Sequence, residues 1–151
     1  MPLRVILDPN ILISHLLPSK LVSLADRVVD AAVSGVFTPL ISDELLHELI
    51  TRVQQKPYLA RNITSADLAA LLDALSAAAE RVDLAGITIP RIVRDPDDDY
   101  LIAMADTGNA DILVSGDHDL LDIADLTAFR ILSMRAFADL LTEEDLTVQP
   151  V

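Results

Sequence analysis

Carboxylates gather at four places in this chain: Asp8, Glu48, the run Asp97-Asp98-Asp99, and Asp117 with Asp119. Taken singly, each has a local explanation. Asp8 stands before Pro9, where a helix N-cap is expected, and Asp97 or Asp98 suits the cap of the helix that follows. Glu48 flanks an apolar helical stripe, and Asp117-His118-Asp119 suits a turn. Together they point elsewhere, because carboxylates brought to one place repel unless a cation lies between them. With only oxygen donors on offer, the natural cation is Mg²⁺ or Mn²⁺. Such an ion serves hydrolysis at a phosphate ester, where it activates water and stabilises charge on the leaving oxygen.

The elements around these residues follow from apolar runs, caps and breakers. Residues 3–7 read as a buried β-branched strand ended by Asp8-Pro9, with a helix over 10–17 stopped at Pro18. A helix opening at Ser19 or Ser23 carries Leu21, Leu24, Val28, Val29 and Ala32 on one stripe and closes at Gly35. Residues 36–38 read as a second strand. Ser42 caps a helix whose Leu45, Leu46, Leu49, Ile50 and Val53 share a face, and Lys56-Pro57 breaks it. Thr64 with Asp67 resembles a capping box for a helix to about residue 80. A brief strand over 82–84 and a proline-interrupted extended stretch over 87–93 follow. The triple aspartate opens a helix over 100–107, closed by Gly108-Asn109. Residues 111–115 form the clearest strand after the first, 118–122 a helical turn, and 129–132 a last strand. Ser133 caps a helix to about 141, and residues 147–151 are an expected frayed tail. Strands alternating with helices predict a three-layer α/β/α sandwich with a central parallel sheet, in one domain over 1–151 with its core at about 3–141. Ligands of such folds bind beyond the carboxyl ends of the strands, where Asp8 and Asp117 fall.

Composition narrows the function classes. Of 151 residues, 52% are hydrophobic, enough for a sizeable core. The absence of cysteine excludes disulfides, a thiol nucleophile and cysteine-ligated metal centres. His15, His47 and His118 are too scattered for a histidine metal motif. His47 and His118 read as surface or supporting residues, and His15 as packed or partner-facing. No apolar run reaches membrane-spanning length and the first residues are too soon interrupted for a signal peptide, so a cytoplasmic location without membrane contact is expected. The net charge of −13 arises almost wholly after residue 94, where fourteen acids face only Arg130 and Arg135. Such a field disfavours nonspecific nucleic-acid binding. Arg52, Lys56 and Arg94 lie in the near-neutral part and are the candidate contacts to substrate phosphates. Two tyrosines and three phenylalanines leave little platform for stacking bases.

Four segments carry a resemblance. Val5-Ile6-Leu7-Asp8-Pro9-Asn10-Ile11-Leu12-Ile13-Ser14 resembles the opening of a PIN domain, and Ser42-Asp43-Glu44-Leu45-Leu46-His47-Glu48-Leu49 is similar to that family's second motif. The stretch from Arg94 through Asp99-Tyr100-Leu101-Ile102-Ala103 resembles the third, and Ala110 through Ser115-Gly116-Asp117-His118-Asp119 the fourth. The motifs come in family order, in register with the expected elements. Within the family the chain is most similar to the toxin components, VapC-like, of bacterial toxin–antitoxin pairs. The resemblance implies a ribonuclease that depends on Mg²⁺ or Mn²⁺. Asp8, Glu48, Asp99 and Asp117 would hold the metal, Asn10 and Ser115 would support them, and Asp98 and Asp119 stand in reserve. It also implies RNA as substrate and an antitoxin protein as partner, while the apolar run Val28-Val29-Asp30-Ala31-Ala32-Val33 and the leucine-rich final helix offer a face for a homodimer or for the antitoxin.

Pro9 departs from the family pattern, which has Thr or Ser there. Proline offers neither a hydroxyl nor a backbone N–H. That departure carries the alternative reading, a catalytically weak or inactive PIN-fold module that binds RNA or a protein partner. A phosphatase of the haloacid-dehalogenase type ranks below both, since its chemistry wants a second acid where this chain has Asn10.

Overall fold

The apolar run after Leu3 becomes the middle of a five-stranded sheet. In the computed structural model, which describes residues 2–89, 99–123 and 128–144, strand β1 (Arg4–Leu7) pairs in parallel with β2 (Thr38–Ile41) on one side and β4 (Ile112–Val114) on the other. The strands β3 (Glu80–Arg81) and β5 (Arg130–Leu132) complete the order β3-β2-β1-β4-β5, every pair parallel. Val5, Ile6, Leu113 and Val114 are fully buried, as strands covered on both faces must be, and this is why they read as continuous apolar runs.

Eight helices are described: α1 (Pro9–Leu16), α2 (Leu24–Val33), α3 (Asp43–Gln55), α4 (Pro57–Asn62), α5 (Ser65–Ala78), α6 (Asp99–Thr107), α7 (His118–Leu121) and α8 (Met134–Glu144). With the right-handed crossovers usual between parallel strands, this order places the helices that join β1 to β2 and β2 to β3 on one face, and α6 and α7 on the other. The expected three-layer sandwich is therefore the fold. Val28, Val29, Ala31 and Ala32 of α2 are buried in the core, and Phe37 meets Phe137 of α8 edge-on, with centroids 5.2 Å apart. The caps are local: Asp8 opens α1 with Pro9 at its first position, and Ser42 accepts from the Leu45 N–H to open α3. A reciprocal capping box opens α2, with Ser23 and Asp26 as its two halves. At α5, Thr64 accepts from the Asp67 N–H at 3.0 Å.

Three expectations shift. The second strand begins at Thr38, not at 36, and runs through Pro39. The Thr38 N–H donates to Leu3 O, so the alternating backbone turns the nitrogen of Pro39 toward β3. There β3 pairs only with Leu40 and Ile41, and no ladder bond is lost. The strand expected at 82–84 forms two residues earlier, while Val82 and Leu84 enter the core. Lys56-Pro57 ends α3 as expected but also starts α4, because proline suits the first position of a helix. The extended stretch over 87–93 is described only to 89, and the tail over 147–151 lies outside the described residues.

Candidate active site

The first strand runs into Asp8, and its parallel neighbour β4 runs into Ser115, so pairing alone brings the two together. The Asp8 N–H donates to Val114 O at 3.0 Å, which continues the ladder to the sheet's carboxyl edge. Asp8 is 2% exposed, and both carboxylate oxygens are engaged by neutral donors. Oδ1 accepts from the Asn10 N–H at 2.9 Å, and Oδ2 accepts from Ser115 Oγ at 2.8 Å. Ser115 Oγ also accepts from the Asp117 N–H at 3.0 Å, and Asp117 Oδ1 accepts from the Asp119 N–H at 2.9 Å. One buried hydroxyl thereby joins the acid after β1 to the acid that caps α7.

The remaining acids arrive on helices. Asp99 is the first residue of α6 and, like Asp8, is 2% exposed. Glu48 is half-buried on α3 and accepts from Arg52 Nε, one turn later, at 2.7 Å. Arg52 Nη1 reaches across to α1 and donates to Asn10 Oδ1 at 2.7 Å. Burial pulls the Arg52 guanidinium down, but Glu48, through charge and hydrogen bond, followed by Asp8 and Tyr100, carries it above its ordinary value. The buried Tyr100 thus belongs beside the site, which the sequence reading missed; its place directly after Asp99 was the available signal.

Asn10 supports Asp8 through its backbone N–H, while its side chain is held by Arg52. Lys56 is exposed at the C-cap of α3, one turn beyond Arg52. His47 and His118 are exposed, and His15 pairs through Nδ1 with Asp26 Oδ1 at 2.8 Å, between α1 and α2. Arg94, Asp97 and Asp98 lie outside the described residues. A cavity of about 580 Å³ runs between α2 and α8, lined by Leu24, Val28, Ala31, Ala138 and Leu141, and includes none of Asp8, Glu48, Asp99 and Asp117.

Asp8, Asp99 and Asp117 with the Ser115 hydroxyl form an all-oxygen set, the kind that suits a hard ion which keeps several of its waters. Among the described residues no trio of acids converges into a ready-made cage. The fit lies in the donor chemistry and in the placement of Asp8 and Asp117 at one rim.

The sequence model of the PIN domain matches residues 4–119. Among solved structures, a chain of VapBC2 from Rickettsia felis, determined bound to a DNA fragment from their promoter, is similar with a TM-score of 0.53. Identity to it is 16%, over 87% of this chain and 98% of that one, a likeness of fold. No curated protein matches the sequence significantly.

Proposed function

The chain belongs to the PIN domain family, and on that premise we propose that it is a metal-dependent endoribonuclease, the toxin of a type II toxin–antitoxin pair. PIN domains are generally nucleases and generally use divalent metal ions. The observation that carries the reading is the linked pair of acids at the carboxyl ends of β1 and β4, Asp8 to Ser115 to Asp117. Carboxylates placed at a sheet rim, with a buried hydroxyl setting their orientation, suit cation binding better than helix capping alone.

In this reading Asp8, Asp99, Asp117 and Glu48 hold Mg²⁺ or Mn²⁺, with Asp98 and Asp119 in reserve. The ion supplies Lewis-acid stabilisation of phosphate charge and a more acidic water. The chain does the rest. Asn10 and Ser115 keep Asp8 in place through its two oxygens, and Ser115 sets the start of α7 through the Asp117 N–H. Arg52, Lys56 and Arg94 are the candidates for holding RNA phosphates against the negative field. The whole chain, 1–151, acts as one cytoplasmic domain that dimerises and is restrained by an antitoxin. The fold shared with a chain of VapBC2 supports that pairing. Among the described residues no helix is long and apolar enough to cross a membrane.

One observation favours a second reading, a weak or inactive module that binds RNA or protein. Pro9 is buried at the head of α1, where a hydroxyl beside Asp8 is missing. Cleavage of a mixed panel of structured and single-stranded RNAs, with EDTA, Mg²⁺ and Mn²⁺ arms, decides between them. Metal-dependent cutting that Asp99→Asn abolishes supports the nuclease. No cutting and no calorimetric metal binding supports the module.

A further inference from the structure

Glu48 differs from Asp8 and Asp117 in what already holds it. Among the described residues, Asp8 and Asp117 accept only from neutral N–H and O–H groups. Glu48 Oε1 instead meets both Nε and Nη2 of Arg52 at 2.7 Å. The two side chains are only 19% and 26% exposed, so solvent and salt screen this pair less than a surface one. The third arm of the guanidinium is tied to Asn10 Oδ1 on α1, two residues after Asp8. Arg52 therefore spans from α3 to α1 with its charge in the field of Glu48 and Asp8.

We propose that Arg52 is a resident counter-cation of this site, one that neutralises Glu48 and Asp8 in the metal-free protein and competes with a divalent cation for them. The proposal rests on the reading of the acids as a metal site and says how that site is regulated. A dication entering beside Asp8 meets a fixed positive charge, and Glu48 offers it a carboxylate whose charge is already paired through Oε1 with Arg52. Arg52 accordingly keeps the metal affinity low. An RNA phosphate, the one anion the proposed substrate brings, is the group that can draw the guanidinium off and release Glu48.

Calorimetric titration of the full chain with Mn²⁺ tests this without reference to cleavage. Arg52→Met removes the charge and keeps much of the stem, and is expected to bind Mn²⁺ about tenfold or more tightly than the wild type. Arg52→Lys keeps the charge and is expected to stay within about threefold of the wild type. Asp99→Asn is the control and is expected to lose binding. If Arg52→Met binds no more tightly while Asp99→Asn abolishes binding, the counter-cation is overturned and the metal site stands. If none of the four proteins binds Mn²⁺, the metal site is overturned and this proposal with it. Should Arg52→Met fail to fold, Asn10→Ala takes its place, since it removes one anchor of Arg52 and leaves the backbone N–H on Asp8. Its expected gain is about threefold, from the loss of one charge-assisted hydrogen bond; no gain overturns the proposal.

Discussion

Ser115 Oγ donates to Asp8 Oδ2 at 2.8 Å across 107 positions of sequence, and the same oxygen accepts from the Asp117 N–H. A fully buried hydroxyl thus orients one carboxylate directly and sets the backbone that carries another. Ser115→Ala is expected to lower Mn²⁺ affinity by about 10–100-fold, the usual effect of losing a partner that orients a metal ligand. The buried Asp8 Oδ2 would lose its donor, so stability should fall by about 1–3 kcal/mol. Calorimetric titration and urea unfolding check the two effects; unchanged affinity would remove the hydroxyl from the site.

Asp8→Asn, Asp99→Asn and Asp117→Asn should each cut metal-dependent RNA cleavage by about a hundredfold or more, because each removes a charged oxygen donor. The amide is isosteric and Asn remains a good N-cap, so the caps at residues 8 and 117 survive. Cleavage rates with matched circular-dichroism melts provide the check. Retained activity in all three would sink the assignment.

Gly108 is close-packed at the end of α6. A Cβ there would stand 2.7 Å from Val82 Cγ2, 3.0 Å from Met104 O and 3.2 Å from Leu40 Cδ1. Gly108→Ala should therefore cost about 1–3 kcal/mol by overpacking. The left-handed conformation that ends this helix belongs instead to Asn109, with φ of 52°. Asn109→Gly should change stability by less than about 1 kcal/mol. Urea unfolding of the two variants separates crowding from backbone conformation.

Asp26 gives an acid-dependent contribution to stability. Burial pushes its carboxyl up, but the Ser23 N–H, His15 and the Ser23 hydroxyl together hold it below the ordinary value. A carboxyl depressed on folding stabilises above its unfolded pKa, about 3.9, and loses that contribution as pH falls through the lower folded value. Asp26→Asn should cost about 1 kcal/mol at pH 7, by weakening the capping box of α2. The gap to the wild type should shrink below about pH 4. Urea midpoints measured from pH 7 to about pH 2.5 follow it; a gap that widens on acidification would contradict the sign.

Much of the fold was legible because its signals are local. The runs at Val5-Ile6-Leu7 and Ile112-Leu113-Val114 declare buried parallel strands. Asp8-Pro9, Ser42 and Thr64 mark helix starts through caps that act within three residues. What went unread was pairing. β2 lies over Thr38–Ile41 because Leu3, Glu80 and Arg81 offer partners there, against the local preference of Pro39. α4 hid behind a Lys56-Pro57 pair that reads equally as an end or a beginning.

At the site the same division holds. Apolar strands that run into acids told where Asp8 and Asp117 would stand, since strand direction alone sends both to the carboxyl edge. The sequence therefore determined a parallel α/β fold and the rim at which Asp8 and Asp117 stand. Only the tertiary structure decided that Ser115 bridges two of them, that Asn10 offers Asp8 its backbone and Arg52 its side chain, and that Arg52 holds Glu48. The reason is physical. Periodicity and capping are settled by neighbours a few residues apart, whereas a guanidinium on α3 meets α1 only when the two helices pack on one sheet, 42 positions of chain closing to a 2.7 Å contact.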